Sequence, residues 1–154
     1  MKNILLLSLL SALLFFSNCK GSRGTSGSKF KNQPGVQFVS SQSLTAVLEQ
    51  AEHENKLVFV DFYTSWCLPC KMMDEEVFPD KAMGDYFKEN FISYKVDAEK
   101  GNGINLATIY NTKTFPTLIF MDARGRTIER NEGSLSYTAL MDMAERAASH
   151  RLHQ

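Results

Sequence analysis

Apolar and polar positions along the chain follow two patterns, one typical of strands and one typical of helices. Leu57–Tyr63 is apolar except at Asp61, as in a central strand that is buried on both faces. Leu44, Val47 and Ala51 repeat instead at helical spacing. Further apolar runs predict strands at 36–39, 91–96, 117–121 and 126–130.

Helix and turn signals separate these runs. Helices are predicted at 67–77, at 104–110 and after each of three N-cap residues: Ser43, Asp80 and Ser136. The residues of the last helix expected to face the core are Tyr137, Leu140, Met141 and Ala144. Asp122–Gly125 is typical of a hairpin turn between the last two strands. This order predicts an α/β domain with a mixed central sheet covered by helices on both faces.

Composition supports one globular domain. The chain has 154 residues, of which 44% are hydrophobic and 22% are charged, which excludes disordered, collagen-like and polytopic membrane proteins. Lys plus Arg and Asp plus Glu are both 17, so no excess of positive charge indicates binding to nucleic acid. Three cysteines are too few for a disulfide scaffold.

The N-terminal residues differ from the rest of the chain. Lys2 is followed by the apolar run Ile4–Phe16. This run is shorter than the ~20 residues that a spanning helix needs, so it predicts a signal peptide over residues 1–18. We therefore expect the protein to be exported from the cytoplasm.

Cys19 directly follows the apolar run, as the lipidated cysteine does in the signal of bacterial lipoproteins. Phe16 and Asn18 depart from the residues that this signal prefers. Residues 19–35 are rich in Gly and Ser and predict a flexible tether, which leaves 36–150 as the folded domain. A lipid on Cys19 would hold the protein at the periplasmic face of a bacterial membrane. The alternative is ordinary secretion into the periplasm, with Cys19 removed or left as a free thiol.

Cys67 and Cys70 are the predicted chemical centre. Their spacing places both sulfurs on the first turn of a helix, at the carboxyl end of the central strand. Unpaired N–H groups at a helix N-terminus stabilise negative charge, and such thiols have pKa values of roughly 3.5–7.5 instead of ~8.5. Cys67 is therefore predicted to attack disulfides as a thiolate, and Cys70 to resolve the mixed disulfide.

The residues alone leave two other roles open for this pair. A structural zinc site would need two further ligands, whereas His53, His150 and His153 are scattered along the sequence. A purely structural disulfide is the second alternative, although a bridge across so few residues removes little chain entropy. We predict no metal site.

The segment around the cysteines resembles the active-site signature of the thioredoxin superfamily: it reads Val60-Asp-Phe-Tyr-Thr-Ser-Trp-Cys-Leu-Pro-Cys-Lys71. The resemblance covers about residues 36–149 and continues through Tyr94-Lys-Val-Asp97, Thr114-Phe-Pro-Thr117 and Gly133. It implies the thioredoxin fold and a thiol–disulfide oxidoreductase. It also implies that the Cys67–Cys70 disulfide is the only redox group, without a cofactor.

Two stretches point to one branch of the superfamily. Lys56–Tyr63 and Glu76-Val-Phe78 are similar to the C-terminal periplasmic domain of the membrane thiol:disulfide interchange reductases. In this family Asp61 matches the buried acid beneath the cysteines, and Lys95 matches the lysine that tunes it. A buried carboxyl has a raised pKa and can exchange protons with Cys70. The alternatives are a hydrogen-bonded core carboxylate for Asp61 and a solvated strand charge for Lys95.

Three further residues match the substrate-binding side of the family's site. Trp66 matches the aromatic residue that shields the site, and Pro116 matches the cis-proline that faces the cysteines. The backbone of Phe115 then pairs with an extended substrate segment, which is a form of strand addition. Ordinary packing for Trp66 and a trans turn proline for Pro116 are the alternatives.

The residues between the cysteines bear on the direction of electron flow. Leu68 replaces the glycine of cytoplasmic thioredoxins, and no histidine lies between the cysteines as in strongly oxidising relatives. We therefore expect a reductase of disulfide-containing client proteins. The chain has no nicotinamide or flavin motif, so a membrane thiol reductase is the expected electron donor. The alternatives are a disulfide oxidase or isomerase, and a non-catalytic module that binds clients or a metal.

Overall fold

The computed structural model describes residues 34–41 and 43–150. The predicted signal peptide, Cys19 and the tether up to residue 33 lie outside the described residues, so these assignments stay predictions. No helix in the described ranges combines the length and the apolar character needed to cross a membrane.

Ten elements form the described domain. The strands are β1 (Phe38–Val39), β2 (Leu57–Tyr63), β3 (Phe91–Asp97), β4 (Thr117–Met121) and β5 (Thr127–Glu132). The helices are α1 (Leu44–His53), α2 (Leu68–Met72), α3 (Lys81–Asn90), α4 (Gly103–Ile109) and α5 (Tyr137–Ser149). The helix predicted at 67–77 is divided, because α2 continues as a π-helical segment over Met73–Val77.

The strands form one mixed sheet in the order β1-β3-β2-β4-β5. β3 is parallel to both β1 and β2, whereas β4 is antiparallel to β2 and to β5. β2 is central, as its continuous apolar run predicted, and six of its seven residues are buried. The α/β class with a mixed central sheet is confirmed.

Successive residues along each strand point to opposite faces of the sheet, so the strands contribute side chains to two separate hydrophobic cores, one on each face. On one face, Leu57, Phe59 and Phe120 pack with α3, α5 and the π-helical segment. On the other face, Val58 and Phe62 pack with α1 and α4. Helices therefore cover both faces, and Asp61 falls on the face that carries the π-helical segment.

Two of the three predicted N-caps make the expected side-chain hydrogen bond. Asp80 Oδ1 accepts from the Met83 N–H at 2.9 Å, and Ser136 Oγ accepts from the Ala139 N–H at 3.3 Å. Ser43 occupies the cap position of α1, but its side chain makes no capping bond there.

The inward face of α5 differs from the prediction. Tyr137 is 40% exposed, so placing it in the core was wrong, whereas Met141 is partly buried and packs against the core as predicted. The buried residues of the helix are Leu140, Met143, Ala144 and Ala147. They follow i, i+3, i+4, i+7 spacing, which puts all four on one stripe. Tyr137 lies outside that stripe, in the first turn.

The chain enters the domain through a close contact with α3. The Val36 N–H donates to the Phe78 carbonyl at 2.7 Å. Gly35 has a φ of +98°, and a Cβ atom added to Gly84 would lie 2.3 Å from the backbone of Gly35. Both positions therefore require glycine, one for its backbone conformation and the other for space.

Candidate active site

Cys67 and Cys70 lie where β2 gives way to α2, at the carboxyl end of the central strand. Cys67 is the N-cap residue of α2, and the Cys67 N–H donates to the Thr64 carbonyl at 3.2 Å. Pro69 lies in the first turn of α2. Backbone N–H groups in a first turn have no partner within the helix, so the absence of an N–H on proline costs no helical hydrogen bond. The two cysteines form a disulfide with their Cα atoms 5.3 Å apart.

The helix directs an N–H group at the first sulfur. The backbone N–H of Cys70 donates to Cys67 Sγ at 3.1 Å. A hydrogen bond of this kind favours the charged form of a sulfur over the neutral form, as does the positive end of the helix. Once the disulfide is reduced, the same arrangement stabilises a thiolate on Cys67.

Asp61 is a buried acid on the sheet face beneath the π-helical segment. Its carboxyl is 1% exposed, and its Oδ1 atom has no hydrogen-bond partner in the described part of the chain. Burial raises the pKa of Asp61 to about 6, and the nearby charge of Lys95 opposes this increase. Asp61 can therefore accept or release a proton near neutral pH.

Lys95 joins Asp61 to a second carboxylate. Lys95 Nζ lies 3.1 Å from Asp61 Oδ2 and also contacts Asp74 Oδ1. Burial disfavours the charge on Lys95, but the two carboxylates outweigh it and raise the pKa of the lysine. Asp74 belongs to the segment that continues α2, so this chain of contacts connects the buried acid to the helix of the cysteines.

Aromatic rings surround the same ammonium group. Lys95 Nζ lies 5.2 Å from the ring centre of Phe38, 5.0 Å from Tyr63 and 5.3 Å from Phe78, all within the ~6 Å range of cation–π contacts. A cavity of about 420 Å³ borders Lys95 and Asp74. The outer end of the Asp61–Lys95–Asp74 network is thus open to solvent, while Asp61 itself is not.

The loop before β4 supplies the opposite wall of the site. The Phe115–Pro116 peptide bond is cis, as the resemblance implied. The ring of Phe115 meets that of Trp66 edge-on, with centroids 6.1 Å apart and planes at 87°. The Pro116 carbonyl accepts from the Gly133 N–H at 2.7 Å, which ties this loop to the end of β5.

The structure brings six of the sequence-predicted residues together in three pairs. Cys67 and Cys70 are bonded, Asp61 pairs with Lys95, and Trp66 packs against Phe115. Sequence reasoning missed Asp74 as a partner of Lys95. Spacing gives no signal for this pair, because Asp74 follows α2 whereas Lys95 lies on β3, across the fold.

Glu99 was also missed as part of the site. It lies in the turn between β3 and α4. Its side chain accepts the indole N–H of Trp66. In the described residues no group of three or more His, Cys, Asp or Glu side chains is placed to hold a metal ion.

Comparison with known proteins assigns the family. The sequence model of the thioredoxin-like domain matches residues 44–148, which is most of the chain. The chain belongs to the thioredoxin-like family. The match contains both cysteines, Asp61 and the cis-proline loop.

Three relatives illustrate the range of similarity. A solution structure from Bacteroides thetaiotaomicron, provisionally described as a disulphide-isomerase, is 35% identical with a TM-score of 0.64 and covers 75% of this chain and 92% of that one. The thioredoxin of Mycoplasmoides gallisepticum is 33% identical over 101 residues, 64% of this chain and 91% of the relative. The thiol:disulfide interchange protein DsbD of Tatumella citrea is 30% identical over 105 residues, 62% of this chain but 18% of that protein.

These matches confirm both levels of the resemblance, to the thioredoxin superfamily and to the DsbD type of interchange protein. Thioredoxins and DsbD proteins are thiol–disulfide oxidoreductases. The protein is therefore an enzyme of thiol–disulfide exchange, and its redox group is the Cys67–Cys70 pair. Its substrates, its direction and its cellular location are matters for proposal.

Proposed function

We propose that the protein reduces disulfides of client proteins outside the cytoplasm. One observation carries the proposal: the Cys67–Cys70 pair caps α2, whose continuation is joined through Lys95 to a buried acid with a pKa of about 6. This arrangement supplies both a stabilised nucleophile and a proton acceptor.

The reaction begins with the reduced pair. The Cys67 thiolate attacks one sulfur of a client disulfide, a mixed disulfide forms, and the other client sulfur leaves as a thiolate. Cys70 then gives its proton to Asp61 and attacks Cys67 Sγ. The second client thiol is released and the Cys67–Cys70 disulfide remains, with two electrons transferred to the client.

In the second step Asp61 accepts the proton that Cys70 loses, and Lys95 stabilises the ionised form of Asp61. An acid with a pKa of about 6 is largely ionised at neutral pH, so it can receive the Cys70 proton. Lys95 stabilises the ionised carboxylate of Asp61 before this transfer, and it stays paired with the exposed carboxylate of Asp74 once Asp61 is protonated and neutral. Trp66, Phe115 and Pro116 form the surface that the client segment contacts.

Electrons must be returned to the pair after each cycle. We propose a membrane thiol reductase as donor, supported by the similarity to DsbD, in which a domain of this type is part of a longer protein. A signal peptide over 1–18 and a lipid on Cys19 would place the domain beside such a donor. The tether over 19–35 would let it reach clients.

Two cysteine variants test the exchange reaction. Cys67→Ser is expected to abolish reduction of a protein disulfide such as insulin, whereas Cys70→Ser is expected to accumulate mixed disulfides with the client. Non-reducing gels and mass spectrometry measure both results. Unchanged client binding in both variants, with no trapped species, would contradict the enzyme and support a binding module.

The equilibrium potential of the pair tests the direction. Titration against glutathione and dithiothreitol should give a value near the ~−270 mV of thioredoxin. A value near the ~−120 mV of strong oxidants would contradict reduction. Disulfide isomerisation is the second candidate, favoured by the description of the Bacteroides thetaiotaomicron relative; refolding of scrambled ribonuclease without added oxidant would support it.

A further inference from the structure

Two charged residues of β5 lie on the face of the sheet that carries α4. Arg130 is paired with Ile119 across the β4–β5 ladder, and Glu132 is paired with Thr117. Ile119 belongs to the core on that face. The side chain of Arg130 is only 28% exposed, and a charged group held this far from solvent needs polar partners. Arg130 finds these partners at the end of α4 and beside the loop before β4.

The guanidinium group of Arg130 closes the C-terminal end of α4. Its Nη1 atom donates to the Tyr110 carbonyl at 2.8 Å, and its Nη2 atom donates to the Asn111 carbonyl at 3.2 Å. Carbonyl groups at the end of a helix have no partner within the helix. Asn111 has a φ of +48°, a conformation that asparagine adopts at helix ends. Arg130 therefore fixes the point at which the loop 111–116 leaves α4.

Glu132 carries the same network into the loop 111–116. Arg130 donates to Glu132 Oε1, with 2.9 Å from Nη2 and 3.3 Å from Nε. The other carboxylate oxygen of Glu132 accepts the Thr114 hydroxyl at 3.3 Å. The Thr114 carbonyl accepts the Thr117 hydroxyl at 2.6 Å. Thr114 is thus held through its side chain and through its backbone, directly before Phe115.

The peptide groups of Phe115 take no part in this network. Within the described part of the chain, neither its N–H nor its carbonyl forms a hydrogen bond. On the other side of Phe115, the Pro116 carbonyl accepts from the Gly133 N–H at 2.7 Å. The loop is therefore held before and after Phe115, and the backbone groups of Phe115 itself remain available to another strand.

We propose that Arg130 and Glu132 are positioning residues for disulfide exchange. They hold the loop 111–116 in one conformation, so the backbone of Phe115 is set to pair with an extended client segment before the client arrives. Binding then costs less conformational entropy than ordering a loose loop would. This inference rests on the proposed function, because it specifies how the same site binds its client.

The test uses variants that break the network at different points. Glu132→Ala removes the link between Arg130 and Thr114, and Arg130→Met removes the guanidinium group but keeps an unbranched stem. Thr114→Val removes the donor hydroxyl, and its combination with Glu132→Ala completes a double-mutant cycle. Glu129→Ala is the matched control. Glu129 also lies on β5 and pairs with an arginine, Arg146, at 3.4 Å, but it points to the opposite face of the sheet.

Three readouts are measured for each variant. Order parameters of the backbone amides from NMR relaxation report motion of the loop 111–116 without any turnover. Steady-state reduction of a disulfide peptide gives kcat and KM, and a matched peptide carries N-methyl groups on the residues that flank its cysteine, which impairs backbone pairing. The rate of reduction of the Cys67–Cys70 disulfide by dithiothreitol reports reactivity toward a thiol that forms no backbone pairing.

Glu132→Ala and Arg130→Met are expected to lower the order parameters of the loop 111–116. They should also raise KM for the unmethylated peptide on the order of 3- to 10-fold, and KM for the methylated peptide should rise less. Values of kcat and the dithiothreitol rate should change little, because neither residue touches the reacting sulfurs. Glu129→Ala should match the wild type. In the Thr114→Val background the effect of Glu132→Ala should be smaller.

The proposal is overturned if Glu132→Ala leaves either the order parameters of the loop or KM unchanged, or if KM for both peptides rises by the same factor. An equal effect of Glu129→Ala would also overturn it, since loss of any ion pair on β5 would then act. A wild-type protein that reduces neither peptide would instead refute the proposed function. The order parameters would still decide whether Glu132 holds the loop.

Discussion

Lys95 shares one positive charge between two carboxylates in different surroundings. Asp61 is buried, whereas the side chain of Asp74 is 42% exposed. The lysine lowers the free energy of the ionised form of Asp61, while the charge of Asp74 raises it. The proton affinity of the buried acid is therefore set in part by a residue at the surface.

Asp74→Asn should lower the pKa of Asp61. The change removes a negative charge that opposes ionisation and leaves Lys95 to interact with Asp61 alone. The midpoint of the Asp61 titration should then move below pH 6, and carboxyl-carbon NMR of the oxidised protein would measure it. Asp85→Asn, which breaks the exposed Lys81–Asp85 pair, is the control. An unchanged midpoint would show that the two carboxylates do not interact.

The residues of the candidate site differ in how readily the sequence alone identifies them. Cys67 and Cys70 are visible from their spacing, and Asp61 stands out as a charge within an apolar strand. Asp74 and Glu99 do not stand out, because each looks like an ordinary surface acid. Their roles depend on which side chain lies across the fold, Lys95 for one and Trp66 for the other, and spacing along the chain carries no such information.

At the scale of elements, residue type alone does not predict which N-cap side chain makes a capping hydrogen bond. Asp80 caps α3 with a hydrogen bond, whereas Ser43 precedes α1 without one. The Ser43 N–H instead donates to Ser41 Oγ at 3.2 Å, and the Ser41 hydroxyl donates to the Ser43 carbonyl. The same sequence signal therefore predicts all three helix starts correctly, but the capping bond forms at only two of them, Asp80 and Ser136.

Asp80→Ala should reduce the free energy of unfolding by about 1 kcal/mol, because a helix N–H loses its partner. Ser43→Ala should cost less than about 0.5 kcal/mol, since no capping bond is lost. Urea unfolding followed by circular dichroism at constant pH compares the two. Equal losses in both variants would contradict the distinction drawn between these caps.

Periodicity predicted the elements well wherever one pattern dominated. β2 was placed without error because its run is apolar except at Asp61, and α3 begins directly after its predicted cap, Asp80. The π-helical segment at Met73–Val77 was not predicted, since one extra residue in a helical turn leaves no mark in the apolar pattern. β1 lies at the edge of the sheet and pairs with β3 over two residues, half of the strand predicted at 36–39.

At the scale of the whole molecule, Asp61 makes stability depend on pH. The folded protein keeps a proton on this acid up to about pH 6, whereas the unfolded chain releases it near pH 3.8. Between these values the folded state binds more protons, so its stability from this group falls as the pH rises.

Asp61→Asn should therefore stabilise the protein relative to the wild type at pH 8 but not at pH 3.5. The difference in unfolding free energy between the two proteins should grow by roughly 2–3 kcal/mol over this range. Urea unfolding at several pH values measures it, and taking the difference cancels the other titrating groups. A difference that is constant with pH would show that burial does not raise the pKa of Asp61.

The entry segment that contains Gly35 also affects how the domain responds to mechanical load. A force applied at Pro34 meets first the Val36–Phe78 hydrogen bond and the two-residue pairing of β1 with β3. These bonds can open one after another, so the entry segment peels away at low force. The seven-residue pairing of β2 with β3 lies deeper and is not loaded until the peeling is complete. The entry segment thus lengthens under load before the central strand bears any of it.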